Sequence, residues 1–161
     1  MTKPFVAILM GSDSDLPKVQ AAIDVLKKLD VPVEVKVHSA HRTPEATHHY
    51  VTDADKRGCA AFIACAGMAA HLAGVVASLT IKPVIGVPID AGPLDGLDAL
   101  LSTVQMPGGI PVATVAIGKA GAKNAGLMAA AILAISDEKI AKDLDTWRAA
   151  QTDSVAFDPK G

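Results

Sequence analysis

A short stretch of the chain, VHSAHRTPEA at residues 37–46, holds side chains that can move protons and bind anions. It contains His38, His41 and Arg42, between a β-branched run and a Thr-Pro pair. An imidazole titrates near neutral pH and can both donate and accept a proton. A guanidinium just before a helix N-terminus can bind a phosphate together with the helix amides. The stretch therefore predicts acid–base chemistry on a phosphorylated ligand.

Two more segments with reactive or polar side chains follow apolar runs. GSDSD at residues 11–15 follows FVAILM, and AGMAAHLAG at residues 66–74 follows AAFIACA. Ser12 and the amides of the helix that follows it offer an anion site. Asp15 can accept hydrogen bonds from ribose hydroxyls, and His71 adds a third imidazole. Together they favour a small phosphorylated ligand that carries a sugar.

Alternating apolar runs and amphipathic stretches predict the elements that position these side chains. Strands are expected over residues 5–10, 33–38, 60–66, 84–89 and 111–118. Helices are expected over residues 15–30, 44–57, 69–79, 94–104, 120–135 and 137–151. This alternation predicts a three-layer αβα sandwich with a parallel five-stranded, flavodoxin-like sheet and an extra C-terminal helix. The strand order 2-1-3-4-5 is expected because it is common among such sheets, and not from a pattern in this chain. Residues 1–161 should form one domain, with a loose tail over 154–161.

The expected strand order brings the three chemical segments together. Loops that follow parallel strands lie at one edge of the sheet, and strands 2, 1 and 3 are neighbours in this order. The candidate site residues are therefore Ser12, Asp15, Ser39, His41, Arg42 and His71.

Structural roles could also explain several polar residues in or near these segments. Ser14 or Asp15 could simply cap the first helix, and Asp13 could be solvated. Packing or exposure could account for His38, His48, His49 and His71. For His41 the structural and the catalytic interpretations both stay open at this stage.

Composition excludes several classes of function. The net charge is -2 without a basic run, so no nucleic-acid partner is expected. No charged side chain interrupts Cys59 to Ile81, a length that could span a bilayer, but its alanines, glycines and His71 indicate a buried strand, turn and helix instead. Cys59 and Cys65 fit buried thiols in a reducing compartment, and the cytoplasm is the expected location.

Known cofactor and nucleophile motifs do not fit this chain. TVAIGKAG resembles the end of a P-loop, but Ala113 and Ala120 replace the required Gly and Ser/Thr. G-x-G-x-x-G after the first strand, H-E-x-x-H and G-x-S-x-G are absent. His38-x-x-His41 lacks a nearby third ligand, so no metal is expected.

Five stretches carry a resemblance to a known family. They are MGSDSD at 10–15, SAHRTP at 39–44, AGMAAHLAG at 66–74, VQMPGGIPVATVAIGKAGAKNAG at 104–126 and WRAAQTDSV at 147–155. In this order along nearly the whole chain, they resemble the N5-carboxyaminoimidazole ribonucleotide mutase family of bacterial purine biosynthesis.

The resemblance implies a reaction and a role for each candidate. The carboxylate of an N5-carbamate would move to ring carbon C4 of an aminoimidazole ribonucleotide, without ATP or a cofactor. The implied roles are general acid/base for His41, phosphate binding for Ser12 and Arg42, ribose binding for Asp15, positioning for Ser39, and contact with the migrating carboxylate for His71. The resemblance also implies a homo-octamer whose neighbouring subunits complete each site.

Two alternatives accompany this interpretation. A related carboxylase of animal type uses carbon dioxide directly, but it tends to have Lys after the loop histidine and lacks AAHL, so Arg42 favours the mutase. A receiver-like signalling module would need a phosphorylatable Asp where the chain reads Cys65-Ala66-Gly67.

Residues 66–74 depart from the family pattern at two positions. Met68 and Ala73 stand where related sequences usually have Gly and Pro. If the missing glycine adopts a positive φ, Met68 occupies a conformation that side chains resist.

Overall fold

The computed structural model describes residues 3–158 and has one five-stranded sheet at its centre. The strands are β1 (Phe5–Met10), β2 (Val33–Val37), β3 (Cys59–Gly67), β4 (Val84–Ile89) and β5 (Ala113–Thr114). The helices are α1 (Leu16–Lys28), α2 (Pro44–Lys56), α3 (Leu72–Leu79), α4 (Leu97–Val104), α5 (Gly118–Ala134) and α6 (Glu138–Asp153). All strand pairs are parallel and their order is β2-β1-β3-β4-β5, which confirms the predicted topology.

Alternate residues of the central strands build two apolar layers, because successive side chains of a strand point to opposite faces. In β1, Val6, Ile8 and Met10 pack with α1, α5 and Ile140 of α6. The other face of β1 packs with α2 and α3. The continuous apolar run of β1 is therefore explained by burial on both sides of the sheet.

This side of the core is filled mostly by aliphatic and small side chains, and α1 and α5 pack closely through alanine and glycine. A Cβ placed at Gly126 of α5 would lie 3.0 Å from the carbonyl oxygen of Ala22 in α1. The backbones of α1 and α5 can approach this closely only because small residues face each other. Cys59 and Cys65 are free thiols with fully buried side chains, as expected.

Three elements differ from the sequence expectation by three residues or more. The helix expected from residue 94 begins at Leu97, because residues 92–96 form a turn. The run at 111–118 forms only the two-residue β5, an edge strand that pairs with Ile85 and Gly86 on one side. The helix expected from residue 69 begins at Leu72, because residues 68–71 form a turn in which Met68 has φ +55°.

The chain ends beyond α6 without further regular structure up to Asp158. The loose tail expected over residues 154–161 stays a prediction, and residues 159–161 lie outside the described residues. Across residues 3–158, none of the helices combines the length and apolarity needed to cross a bilayer.

Candidate active site

The turns after β1, β2 and β3 line one cleft of about 470 Å³ at the carboxyl edge of the sheet. All six candidates from the sequence lie in its wall: Ser12, Asp15, Ser39, His41, Arg42 and His71. The remaining lining comes mostly from Ser14, Met68 and the backbone around Ala66, Gly67 and Ala69. Strand order thus assembles groups from three distant parts of the chain.

Two imidazoles meet directly in this cleft. His41 Nε2 lies 2.7 Å from His71 Nδ1, and the rings meet edge to face at 80° with centroids 4.7 Å apart. Such a contact needs one hydrogen between the two nitrogens, so one ring donates and the other accepts. The pair can therefore hold a proton at a defined position and exchange it between two rings.

Arg42 is held by the β1 and β2 turns together. Its Nη2 donates to the carbonyl oxygen of Gly11 at 2.9 Å, and its backbone amide donates to Ser39 Oγ at 3.1 Å. Thr43 stands at the N-cap of α2, but its hydroxyl bonds back to Ser39 instead of capping a helix amide. Ser39 thus fixes the turn that carries His41 and Arg42, and the exposed guanidinium keeps further donors for an anion.

The turn after β1 presents two hydroxyls next to a helix start. Ser12 caps the short 3-10 turn Asp13–Asp15 by accepting from the amide of Ser14 at 3.3 Å. Ser14 Oγ donates to Ser12 Oγ at 2.8 Å. Ser14, which was not among the six candidate site residues, therefore adds a second hydroxyl to the cleft.

Asp15 is a buried carboxylate in the same wall, with 8% of its surface exposed. Burial raises the pKa of the Asp15 carboxyl, and the Ser12 backbone and the charge of Lys18 offset only part of this effect. Lys18 is itself turned to Asp90 at the end of β4, at 2.7 Å. A carboxylate with little solvent contact is a strong hydrogen-bond acceptor for hydroxyl groups of a ligand.

The raised pKa of Asp15 predicts that its ionised carboxylate lowers the free energy of unfolding at neutral pH. A carboxyl whose folded pKa lies above its unfolded value stabilises the fold when protonated, and this contribution is lost as pH rises through the folded pKa. We expect Asp15→Asn to raise the free energy of unfolding at pH 7 while weakening ligand binding, with the gain disappearing below about pH 4. Denaturant titrations across this pH range, with the exposed Asp13→Asn as control, measure it. An Asp15→Asn variant that is less stable than wild type at pH 7 would contradict the destabilising effect of the ionised Asp15.

Met68, which stands where the family pattern usually has glycine, adopts a positive φ. Its φ is +55°, and its side chain is 54% exposed against Gly92 at the rim of the cleft. Side chains pay on the order of 1 kcal/mol for the left-handed region, which glycine enters freely. The loop that carries His71 is therefore strained at its first residue. Ala73, the second departure from the pattern, is buried in the first turn of α3.

A pair of substitutions tests this strain. Met68→Gly should leave the free energy of unfolding equal or raise it by up to ~1 kcal/mol, because relief of strain exceeds the entropy that glycine adds to the unfolded chain. Met68→Val should lower it by roughly 1 kcal/mol, since β-branched residues resist this region most. Chemical denaturation measures both, and a valine variant more stable than the glycine variant would refute the strain.

The remaining histidines lie away from the cleft. His38 is half-buried and stacks on Tyr50 with ring centroids 5.1 Å apart. His48 and His49 are exposed on α2. These positions agree with the packing and surface interpretations given by the sequence.

Comparisons with known proteins point in one direction. The family model described as AIR carboxylase matches residues 5–154. The N5-carboxyaminoimidazole ribonucleotide mutase of Bacillus subtilis is 55% identical over 146 residues, covering 91% of this chain and 90% of the relative. The enzyme of the same name from Escherichia coli K12 is 51% identical over 154 residues, covering 96% and 91%. A crystal structure of Treponema denticola PurE superposes with a TM-score of 0.85 at 28% identity, covering 94% of this chain and 93% of that one.

Proposed function

This chain belongs to the AIR carboxylase family, and from that premise we propose that it is an N5-carboxyaminoimidazole ribonucleotide mutase of purine biosynthesis. It is an isomerase that acts on a small ribonucleotide. The observation that carries the assignment of the site is the contact of His41 Nε2 with His71 Nδ1 beside Arg42.

His41 supplies both proton transfers in the proposed mechanism. As an imidazolium, it protonates the exocyclic nitrogen while the N–C bond of the carbamate breaks and carbon dioxide leaves. Ring carbon C4 then attacks carbon dioxide and forms the new C–C bond. C4 is now tetrahedral and carries both its hydrogen and the new carboxylate. The neutral imidazole removes that proton, which restores both the aromatic ring and the imidazolium. Protons balance over the cycle, so the scheme needs no external acid, base or cofactor.

His71 orients this acid–base group in the proposed site. Its Nδ1 fixes the ring of His41 through the 2.7 Å contact, and it can take or return a proton as substrate arrives. The two rings stand at the junction of the β2 and β3 turns, beside the proposed path of the migrating carboxylate.

Ligand anchoring follows from charge and hydroxyl placement. Arg42, Ser12 and Ser14 present donors to a phosphate near the first turn of the α1 segment, where the helix dipole adds to the attraction. Asp15 accepts hydrogen bonds from the ribose. The ribonucleotide is thereby held at its phosphate and sugar, and the imidazole ring lies toward His41.

Direct carboxylation of aminoimidazole ribonucleotide by carbon dioxide is the second candidate, favoured by the description of the family itself. Purified protein supplied with N5-carboxyaminoimidazole ribonucleotide should form the C4-carboxylated product without added bicarbonate. Parallel reactions with aminoimidazole ribonucleotide plus bicarbonate decide between the two. Product in the second mixture alone would refute the mutase assignment. A receiver-like module lacks support, since β3 ends in Cys65, Ala66 and Gly67 without an acidic residue.

We further propose that the chain works as a homo-oligomer, an octamer by family resemblance, in the cytoplasm where purine precursors are made, and that residues 1–161 are a single mutase domain. An apolar stripe on the outer face of α4 and the residues before it supports self-association. Its members are Leu94, Leu97, Leu101 and Val104, which are 58%, 54%, 49% and 45% exposed. Their spacing of three and four residues puts them on one face, and a second copy can cover it.

Breaking this stripe should reduce the assembly. Leu101→Asp is expected to shift the protein to smaller species, because a carboxylate cannot be buried unpaired in an apolar interface. Sedimentation velocity measures the size, with Ile81→Asp as the matched change at an exposed apolar residue outside the stripe. An unchanged sedimentation coefficient for Leu101→Asp would argue against this face as the contact.

A further inference from the structure

A hydroxyl on α4 holds the turn that carries His71. Ser102 Oγ accepts a hydrogen bond from the backbone amide of Ala70 at 3.0 Å. The same oxygen lies 2.6 Å from the carbonyl oxygen of Asp98 one helical turn earlier. A hydroxyl has a single hydrogen, which goes to this nearer carbonyl, so its lone pair is free for Ala70. Ser102 therefore joins two segments that are 32 residues apart in the chain.

The amide of Ala70 is buried, so water cannot easily replace Ser102 as its hydrogen-bond acceptor. Ala70 is 2% exposed, so its N–H would stay unpaired if the hydroxyl were removed. Met68, two residues earlier, already resists its own backbone conformation at φ +55°. A turn that is strained at one end depends on its remaining hydrogen bonds for a single conformation.

His71 follows directly on this anchored residue. Its amide donates to the carbonyl oxygen of Ala69 at 3.0 Å, which closes the turn around Ala70. The position of the His71 ring relative to His41 is thereby set by the backbone at 69–71. A shift of about 1 Å there would break a contact of 2.7 Å.

The helix that carries Ser102 is a rigid support. The neighbouring Thr103 is buried and packs on Gly86 in β4, where a Cβ would clash with its methyl group. Met106, just after α4, contacts Gly74 in α3, where a Cβ would lie 3.1 Å from its sulfur. Both α3 and β4 are thus packed against the segment that presents the hydroxyl.

We propose that Ser102 is a positioning residue for the mutase reaction, and that its hydroxyl holds the turn at 68–71 so that His71 stays in contact with His41. Ser102 touches neither imidazole, and it acts through the backbone of this turn: its hydroxyl oxygen accepts from the amide of Ala70 at 3.0 Å and lies 3.4 Å from the carbonyl oxygen of Met68. The kinetic part of this proposal rests on the proposed function. Its structural part concerns the protein without ligand and can be tested independently.

The kinetic test compares variants that differ in one hydroxyl. Ser102→Ala should lower kcat by about ten- to a hundredfold, because a buried amide loses its partner and the histidine pair loses its alignment. KM should change by less than about threefold, since Arg42 and Ser12 bind the phosphate from other turns. The isosteric pair Ser102→Thr and Ser102→Val isolates the hydroxyl, with threonine close to wild type and valine like alanine. Ser78→Ala, which removes an exposed helix serine whose hydroxyl donates to the carbonyl oxygen of Val75 in its own helix, is the control.

The structural test follows the imidazole nitrogens of His41 and His71 by 15N NMR in the protein without ligand. Wild type, Ser102→Thr and Ser78→Ala should show the shifts of two directly bonded rings. Ser102→Ala and Ser102→Val should show two independent, solvated rings. Unchanged imidazole signals in Ser102→Ala, or equal kcat values for the threonine and valine variants, would overturn the proposal. If wild type lacks mutase activity, the proposed function fails while the NMR comparison still decides the role of Ser102.

Discussion

Replacing His41 by asparagine is expected to lower kcat by about 10²- to 10⁴-fold, the range that a positioned general acid–base group contributes. Asparagine keeps a polar side chain of similar reach but cannot carry a proton between the exocyclic nitrogen and C4. The His41 side chain is exposed in the cleft, so the fold should not depend on it. Ribonucleotide binding should persist, because the phosphate and ribose anchors are other residues.

Steady-state kinetics and calorimetric binding of aminoimidazole ribonucleotide separate these effects. His49→Asn makes the same change at an exposed histidine of α2, outside the cleft, and should leave kcat unchanged. An unaltered free energy of unfolding with lost turnover supports the catalytic role. Turnover near wild type in His41→Asn would remove His41 from the mechanism and, with it, the assignment of the imidazole pair.

Loss of Arg42 should instead appear mainly in KM. A charge-assisted hydrogen bond to phosphate is worth about 1.5–3 kcal/mol, so Arg42→Ala should raise KM roughly 10- to 150-fold. The structure adds a second reason: Arg42 donates to the carbonyl of Gly11 and so ties the β2 turn to the β1 turn. Arg42→Lys should recover part of the affinity through its charge but lose the two-sided geometry of the guanidinium.

We would measure KM and kcat for wild type, Arg42→Ala and Arg42→Lys at two ionic strengths. Arg148→Ala, which removes an arginine of α6 outside the cleft, is the control. Screening by salt should raise KM more for wild type than for Arg42→Ala, since the variant has lost the charge that salt screens. An unchanged KM in Arg42→Ala would show that the phosphate binds elsewhere. Together, the His41 and Arg42 variants distinguish proton transfer from binding.

Local pattern predicted most of the fold because burial in this protein is periodic along the chain. The uninterrupted apolar runs of β1 and β4 are buried on both faces, and both strands have the expected bounds. The run at 111–118 looks equally apolar, yet only Ala113 and Thr114 pair. An edge strand has one neighbour, and its length is set by where the chain leaves that neighbour rather than by its own apolarity.

The sequence by itself determined that three chemical turns would lie at one edge of the sheet, since parallel strands joined by right-handed crossovers place the loops that follow them on the same side. Only the tertiary structure decided how their side chains engage: His41 with His71, Arg42 with Gly11, and Ser102 with Ala70, each pair about 30 residues apart. The direction of a side chain in a turn depends on a few backbone angles and on the packing of elements that are not neighbours in sequence. Periodicity encodes burial, but it carries no information about those angles.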